Sequence, residues 1–342
     1  MEMKKYQIIW TKKNYKSHEI IGAAGSKAPK DVATIARQCG YIDRFIICPE
    51  ISNKLINVLL RFFLLICELH KCERNSLILL QYPCFSEKIF QYAKFFFPSR
   101  KLVTVIHDIN SIRQNGNISK AEISSLSVFQ EIIVHTPEMK DYLSKFLPST
   151  IQFHILECFP YLTDSLCKKV NSMNEVCFAG NIDKSIFLQE YIQTLKKTKL
   201  RLYGRMKRKF PLNQNVTYCG MFNPDNISIL SGNWGLVWDG DSIESCSGTW
   251  GNYLKIIAPH KFSLYLAAGI PVIVWNQSAM AKLVEKYSIG ICISNLQELE
   301  NKISLVSIDF YNTLINNVLI IQKKIKKGDV LMKIFNNELN ES

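Results

Sequence analysis

Short apolar runs recur along this chain, separated by longer amphipathic stretches. Runs rich in β-branched and aromatic residues predict strands over Tyr6–Trp10, Phe45–Cys48, Leu77–Leu80, Leu102–Ile106 and Glu131–Val134. Helical spacing between them predicts helices over Asp31–Gln38, Ile51–Leu69, Ser86–Phe97 and Pro137–Phe146, with Gly40 and Pro98 as stops. A second series starts after Pro160. Its strands are Val176–Phe178, Leu200–Tyr203, Val216–Cys219, Trp234–Trp238, Val272–Trp275 and Gly290–Ile293, and its helices are Ser185–Leu195, Pro259–Ala268 and Ser278–Lys286. Strand and helix in alternation predict an α/β protein whose parallel sheets carry helices on both faces. The run Leu55–Leu69 is interrupted by Arg61 and too short to span a bilayer, which takes about 20 apolar residues. Core packing is the expectation for it, with a membrane-interface helix as the second reading.

The chain has 342 residues, more than one hydrophobic core usually serves, so two domains are expected. A boundary between Pro160 and Asn174 gives an N-terminal domain at 1–160 and a second at 161–310. The remaining 311–342 hold a lysine-rich helix, Leu314–Lys327, that can cross back to the first domain. Lys and Arg number 42 against 29 Asp and Glu, a formal charge of +13. That surplus suits an anionic partner: nucleic acid, an anionic membrane surface or a phosphorylated small molecule. The cations are not interleaved with aromatics as in a single-strand groove, which argues against nucleic acid. Eleven scattered cysteines without a CxxC pair, and no apolar leader after Met1–Tyr6, predict a cytoplasmic protein with reduced thiols.

In parallel α/β domains ligands bind at the carboxyl ends of strands, so the residues just after each strand are the ones to read. After Val176–Phe178 come Gly180, Asn181, Asp183 and Lys184. Glycine permits close backbone approach and Lys184 can neutralise a phosphate, although Asp183 capping an ordinary turn fits equally. After Leu200–Tyr203, Gly204 leads into four cations at Arg205, Lys207, Arg208 and Lys209, either a phosphate contact or a solvated loop. Trp238 opens a loop of about twenty residues, Asp239–Ala258, a length that tends to be functional. Its Asp241 and Glu244 can order sugar hydroxyls or stabilise positive charge at an anomeric carbon. Asp239 and Asp241 have the spacing of a metal-binding pair, but nearby cations can hold a diphosphate instead. Pro259 then starts a helix whose free amides, with His260 and Lys261, form an anion site. In the first half, Asp108 follows an apolar strand, placed either as a general base or as a loop-ordering cap. The glycine turn at 24–31, with Lys27 and Lys30, has neither a GxGxxG nor a P-loop pattern.

The run from Trp238 to Trp275 resembles bacterial sugar transferases of the β-1,6-galactofuranosyltransferase type, a group that includes glucosyltransferases extending the glycans of serine-rich adhesins. His107–Arg113, Ala179–Leu188 and Tyr218–Phe222 match the same group in the same order, so the resemblance covers most of the chain. It implies a GT-B fold, two Rossmann-like domains facing a central cleft, with the nucleotide sugar held mainly by the second. It further implies that Lys184, Tyr218, Pro259, His260 and Lys261 hold UDP while the Lys27 region closes over it. Trp250 departs from the smaller residue expected there.

The expected activity is metal-independent, inverting transfer of a hexose, galactofuranose first, from a UDP-sugar to a lipid- or protein-linked glycan in surface polysaccharide synthesis. Asp108 is the expected base, with Asp241 and Glu244 orienting the sugar. No cofactor is called for beyond the donor substrate. Alternatives are a UDP-glucose-dependent enzyme extending GlcNAc on an adhesin and a noncatalytic partner subunit. Peripheral contact with the inner membrane face and a homo-oligomer stay open.

Overall fold

The structure, a computed structural model, describes residues 3–12, 26–48, 52–83, 95–165, 167, 173–207 and 212–339. The turn at Gly25, most of the expected Ser86–Phe97 helix, and Arg208 and Lys209 lie outside the described residues. The chain divides into two units. The first comprises Met1–Ile20, Pro29–Leu156 and Leu331–Ser342; the second comprises Ile21–Ala28 and Glu157–Val330.

The first unit holds a six-stranded parallel sheet in the order β2-β1-β3-β4-β5-β6. Its strands are β1 (Lys5–Lys12), β2 (Ile42–Cys48), β3 (Leu77–Tyr82), β4 (Lys101–Ile106), β5 (Glu131–Val134) and β6 (Gln152–Ile155). The residues of β5 are buried throughout and those of β3 and β4 nearly so, as expected of strands covered on both faces. Strand β6 escaped the sequence reading because an edge strand with partly exposed residues has no apolar run to announce it. The helix Lys54–His70 begins at Asn53, whose side-chain oxygen accepts from the amides of Leu55 and Ile56.

The second unit repeats the plan with β7 (Glu175–Ala179), β8 (Lys199–Tyr203), β9 (Val216–Gly220), β10 (Trp234–Val237), β11 (Val272–Trp275) and β12 (Gly290–Ile293), in the order β12-β11-β10-β7-β8-β9. Side chains alternate across this sheet. Val176, Phe178, Trp234 and Ile273 join a core on one face, while Cys177, Ala179, Val237 and Val272 join a core on the other. The chain winds outward from β7 through β8 to β9, then returns to place β10 on the other side of β7. That reversal makes the β7–β10 junction the topological switch point, where ligands of open α/β sheets bind.

Among the described residues five short helices went unread, at Asn110–Asn115, Lys120–Leu126, Gly248–Tyr253, Leu299–Ser304 and Asp329–Lys333. None exceeds two turns, so none shows a full apolar period. The segment Asp239–Ala258, expected as one long loop, is therefore interrupted by a helix at Gly248–Tyr253. Its two glycines, poor helix formers, hid it. Pro259, expected inside its helix, is instead the extended residue just before it, and His260 is the first helical position.

Candidate active site

Strands β7 and β10 pair only through Trp234–Val176 and Gly235–Cys177, then part toward their carboxyl ends. Parting leaves backbone groups without a ladder partner. The hydroxyl of Tyr265, from the helix His260–Ala267, fills the gap: it accepts from Ala179 N (2.7 Å) and donates to Leu236 O (3.2 Å). The ring of Tyr265 is fully buried, and a Cβ on Gly235 would lie 2.2 Å from its Cγ. Tyr265 and Gly235 together are thus what lets the two central strands separate. Burial holds the Tyr265 phenol well above its ordinary pKa, so it remains a donor.

The loops after these strands converge at the opening. Lys261 Nζ donates to Trp238 O (2.8 Å), lies 3.6 Å from Asp239 Oδ2, and sits 4.9 Å from the ring centre of Phe178 on β7. Lys184, at the end of a 3-10 turn after β7, has its ammonium 5.4 Å from the ring centre of Trp250 in the helix Gly248–Tyr253. Gly204, after β8, has φ of +128°, and a Cβ there would lie 1.8 Å from Gly180 O. Only glycine allows those two loops to lie so close. Tyr218 donates to Gly204 O (3.0 Å), tying the end of β9 to the same point. Asp183 instead accepts from Lys207 N, ordering the loop after β8.

The acidic loop is folded on itself. Trp238 Nε1 donates to Ser242 O (3.0 Å), and Asp239 Oδ1 accepts from Gly240 N. A Cβ on Gly248 would lie 2.8 Å from Asp241 Oδ2, so Asp241 rests against the start of the Gly248–Tyr253 helix. Glu244 is exposed and accepts from Gln297 Nε2 (2.7 Å).

His260 differs from the expectation that it adds positive charge. Its ring stacks on Tyr161 (5.0 Å between centres), and burial, then repulsion from Lys27, lowers its pKa to about 3. It is neutral at physiological pH, so the cation at this helix start is Lys261. Lys27 packs within the second unit although its number falls in the first half. It is buried, donates to Leu162 O (2.6 Å), and lies 3.3 Å from Asp225 and 5.0 Å from the ring centre of Tyr161.

In the first unit Asp108 follows β4 and is partly buried, with Arg113 Nη1 donating to its Oδ2 at 2.6 Å. Burial raises the Asp108 pKa; Arg113 opposes this and Glu122 adds to it. Glu122 is the residue that sequence missed. The helix Asn110–Asn115 has no capping side chain of its own. Buried Glu122 serves instead, accepting from the amides of Asn110 (2.9 Å) and Ser111 (3.0 Å), from the Ser111 hydroxyl, and from Tyr82 OH (3.1 Å). The Ser119-x-x-Glu122 capping pattern was a signal that Glu122 matters, but not for which helix.

Two parallel six-stranded units of this kind, with ligand-binding loops at a switch point, define the GT-B class of fold, the fold of many glycosyltransferases. The chain is similar over 99% of its length, and over 99% of the other's, to sucrose-phosphate synthase of Thermosynechococcus elongatus, with a TM-score of 0.69 at 12% identity. It is likewise similar to the lipopolysaccharide outer core galactosyltransferase WaaB, with a TM-score of 0.52 at 10% identity, covering 98% and 96% of the two chains. At such identities the likeness is one of fold. The particular family comes from the sequence: residues 9–146 match the N-terminal domain of the glucosyltransferase 3-like family and residues 176–338 match its C-terminal domain. The chain belongs to that family. It is 27% identical to the β-1,6-galactofuranosyltransferase WbbI of Escherichia coli K12 over 326 residues, 93% of this chain and 95% of that one. It is 24% identical to glucosyltransferase 3 of Streptococcus gordonii over 267 residues, 76% and 78% of the two.

Proposed function

We propose that this glycosyltransferase moves a hexose, galactofuranose first, from a UDP-sugar to a glycan acceptor with inversion and without a metal. The observation that carries the reading is the switch point of the second unit, where the backbone of Gly180 and Gly204, Lys184 and Lys261 gather around parted strands. A diphosphate there would meet two ammonium groups and the amides at the start of the His260–Ala267 helix. Tyr218 supports this cradle through Gly204. Pro259 sets the helix start, and neutral His260 packs beneath it.

In the transfer, an acceptor hydroxyl attacks the anomeric carbon and its proton passes to Asp108. The bond from that carbon to the diphosphate oxygen breaks, and its electron pair leaves with UDP. Lys184 and Lys261 stabilise the departing charge. Asp241 and Glu244 orient the sugar. A raised pKa makes Asp108 a better proton acceptor than an ordinary carboxylate. The Streptococcus relative, named a glucosyltransferase, favours glucose as the sugar moved; the second reading is UDP-glucose as donor, with protein-linked GlcNAc as the acceptor that the sequence resemblance implies.

Turnover and donor hydrolysis across UDP-galactofuranose, UDP-glucose and UDP-galactose separate the two readings. The expected result is preference for UDP-galactofuranose. Preference for UDP-glucose moves the assignment to the second reading, and absence of UDP binding removes both.

A further inference from the structure

The Asn110–Asn115 helix carries Arg113 to Asp108, yet it has no means of its own to hold its first turn, since Ile109 before it caps nothing. Glu122 comes from the next helix, Lys120–Leu126, three residues after Ser119. A glutamate so placed ordinarily reaches back to the amide of that serine and closes its own helix. Here the Ser119 amide goes to the Ser111 hydroxyl instead (2.8 Å), and that hydroxyl donates to Glu122 Oε2. The Glu122 carboxylate is thereby turned to the Asn110 and Ser111 amides. One buried side chain ties the two helix starts to each other and, through Tyr82 OH, to the end of β3.

From this anchor an unbroken path leads to Asp108. Asn110, whose amide Glu122 holds, accepts from Arg113 Nη2 through its side-chain oxygen (3.2 Å). Arg113 Nη1 then donates to Asp108 Oδ2 (2.6 Å). Two histidines lie beside this path in chain and sheet. His107 Nε2 donates to Gln81 Oε1 (2.7 Å), and His135, just after β5, donates to Ile106 O (2.8 Å). Burial lowers the His135 pKa to about 4, so it brings no charge near neutrality. The charges set against Asp108 are therefore Arg113 from its own helix and Glu122 from the next. Resting on the reading of Asp108 as the base, we propose that Glu122 is a positioning residue for the transfer. It holds the first turn of Asn110–Asn115 so that Arg113 stays on Asp108.

Burial raises the Asp108 pKa, Arg113 lowers it, and Glu122, the weakest of the three, raises it. Loss of the Glu122 charge alone would move the acid limb of kcat/KM to lower pH. Release of Arg113 moves it to higher pH, and by more. The experiment follows donor hydrolysis by the full chain against pH, on UDP-galactofuranose or, if that is inert, on UDP-glucose, in Glu122→Ala, Asn110→Ala and Arg113→Ala. Asn110→Ala cuts the path while leaving Glu122 and the amides it holds in place, so it decides even where Glu122→Ala does not fold. Both variants are expected to move the acid limb to higher pH, as Arg113→Ala does. Glu122→Ala is also expected to lose about tenfold or more in kcat with UDP affinity kept, since a base misplaced by about 1 Å can cost about a hundredfold. Adding Arg113→Ala to Asn110→Ala should move the limb no further than Arg113→Ala alone. The proposal is overturned, with Asp108 still the base, if Arg113→Ala moves the limb and Asn110→Ala does not. It is equally overturned if Glu122→Ala moves the limb to lower pH, which would leave Glu122 a charge and nothing more. A limb unmoved in Arg113→Ala removes the base reading and this proposal with it.

Discussion

Replacing Tyr265 by Phe removes one oxygen and leaves the ring packed against Gly235. That oxygen satisfies two buried backbone groups, Ala179 N–H and Leu236 C=O, where β7 and β10 have parted. A buried group stripped of its partner costs about 1–3 kcal/mol, so losing both is expected to destabilise the second unit by about 2–6 kcal/mol. For a unit of this size each kcal/mol lowers Tm by roughly 2–4 °C, which predicts a drop of roughly 4–24 °C. Thermal unfolding followed by circular dichroism measures it, with urea unfolding to give the free energy. UDP affinity should fall as well, because the strut lies directly behind Gly180 and Trp238. A Tyr265→Phe protein that melts within about 1 °C of the wild type would show that the hydroxyl does not hold the switch point open.

Asp108→Asn is expected to lower turnover by about a hundredfold or more with UDP affinity unchanged, since general bases contribute on that order; single-turnover kinetics separates the two. As a base Asp108 must be ionised, so kcat/KM should fall as pH drops through its raised pKa. Arg113→Ala, which removes the opposing cation, should move that acid limb to higher pH; an unmoved limb assigns it to another group. Trp250→Ala should weaken donor affinity by about two- to fivefold through loss of its contact with Lys184, and Trp250→Phe should retain most of it, as isothermal titration would show. Gly204→Ala should abolish UDP binding in a protein that still melts cooperatively, because Gly180 and Gly204 cannot both keep their places.

The legible parts of this molecule were those with a period. Among the described residues, eleven of the twelve strands showed as apolar runs, and the order of elements was enough to expect two parallel sheets. Lys184 and Lys261 were legible because a residue just after a strand or at a helix start has a position in sequence as well as in space. Tyr265 and Glu122 were not. Each acts on backbone groups far along the chain, Tyr265 on Ala179 and Glu122 on Asn110 and Ser111, and no local spacing records that reach. The charge of His260 was misread for the same reason: stacking on Tyr161 and repulsion from Lys27 come from residues remote in sequence. The helix Lys54–His70 was half read: Leu65 and Leu69 are buried, but Leu55, Leu59 and Phe63 are exposed, and an apolar run does not record which of its residues face solvent.

The first unit is not a continuous stretch of chain. Phe335 lies against Tyr41 at 5.1 Å between ring centres and accepts from Lys5 through its carbonyl, and Leu339 O accepts from Lys101. Residues after Val330 therefore complete the unit whose strands precede Glu157 in the chain. During synthesis the whole second unit, which ends at Val330, is available to fold before the first can close, so the order of synthesis and the order of completion run opposite ways. A stop codon ahead of Leu331 would spare every residue of the switch point, yet leave the N-terminal sheet without its last wall.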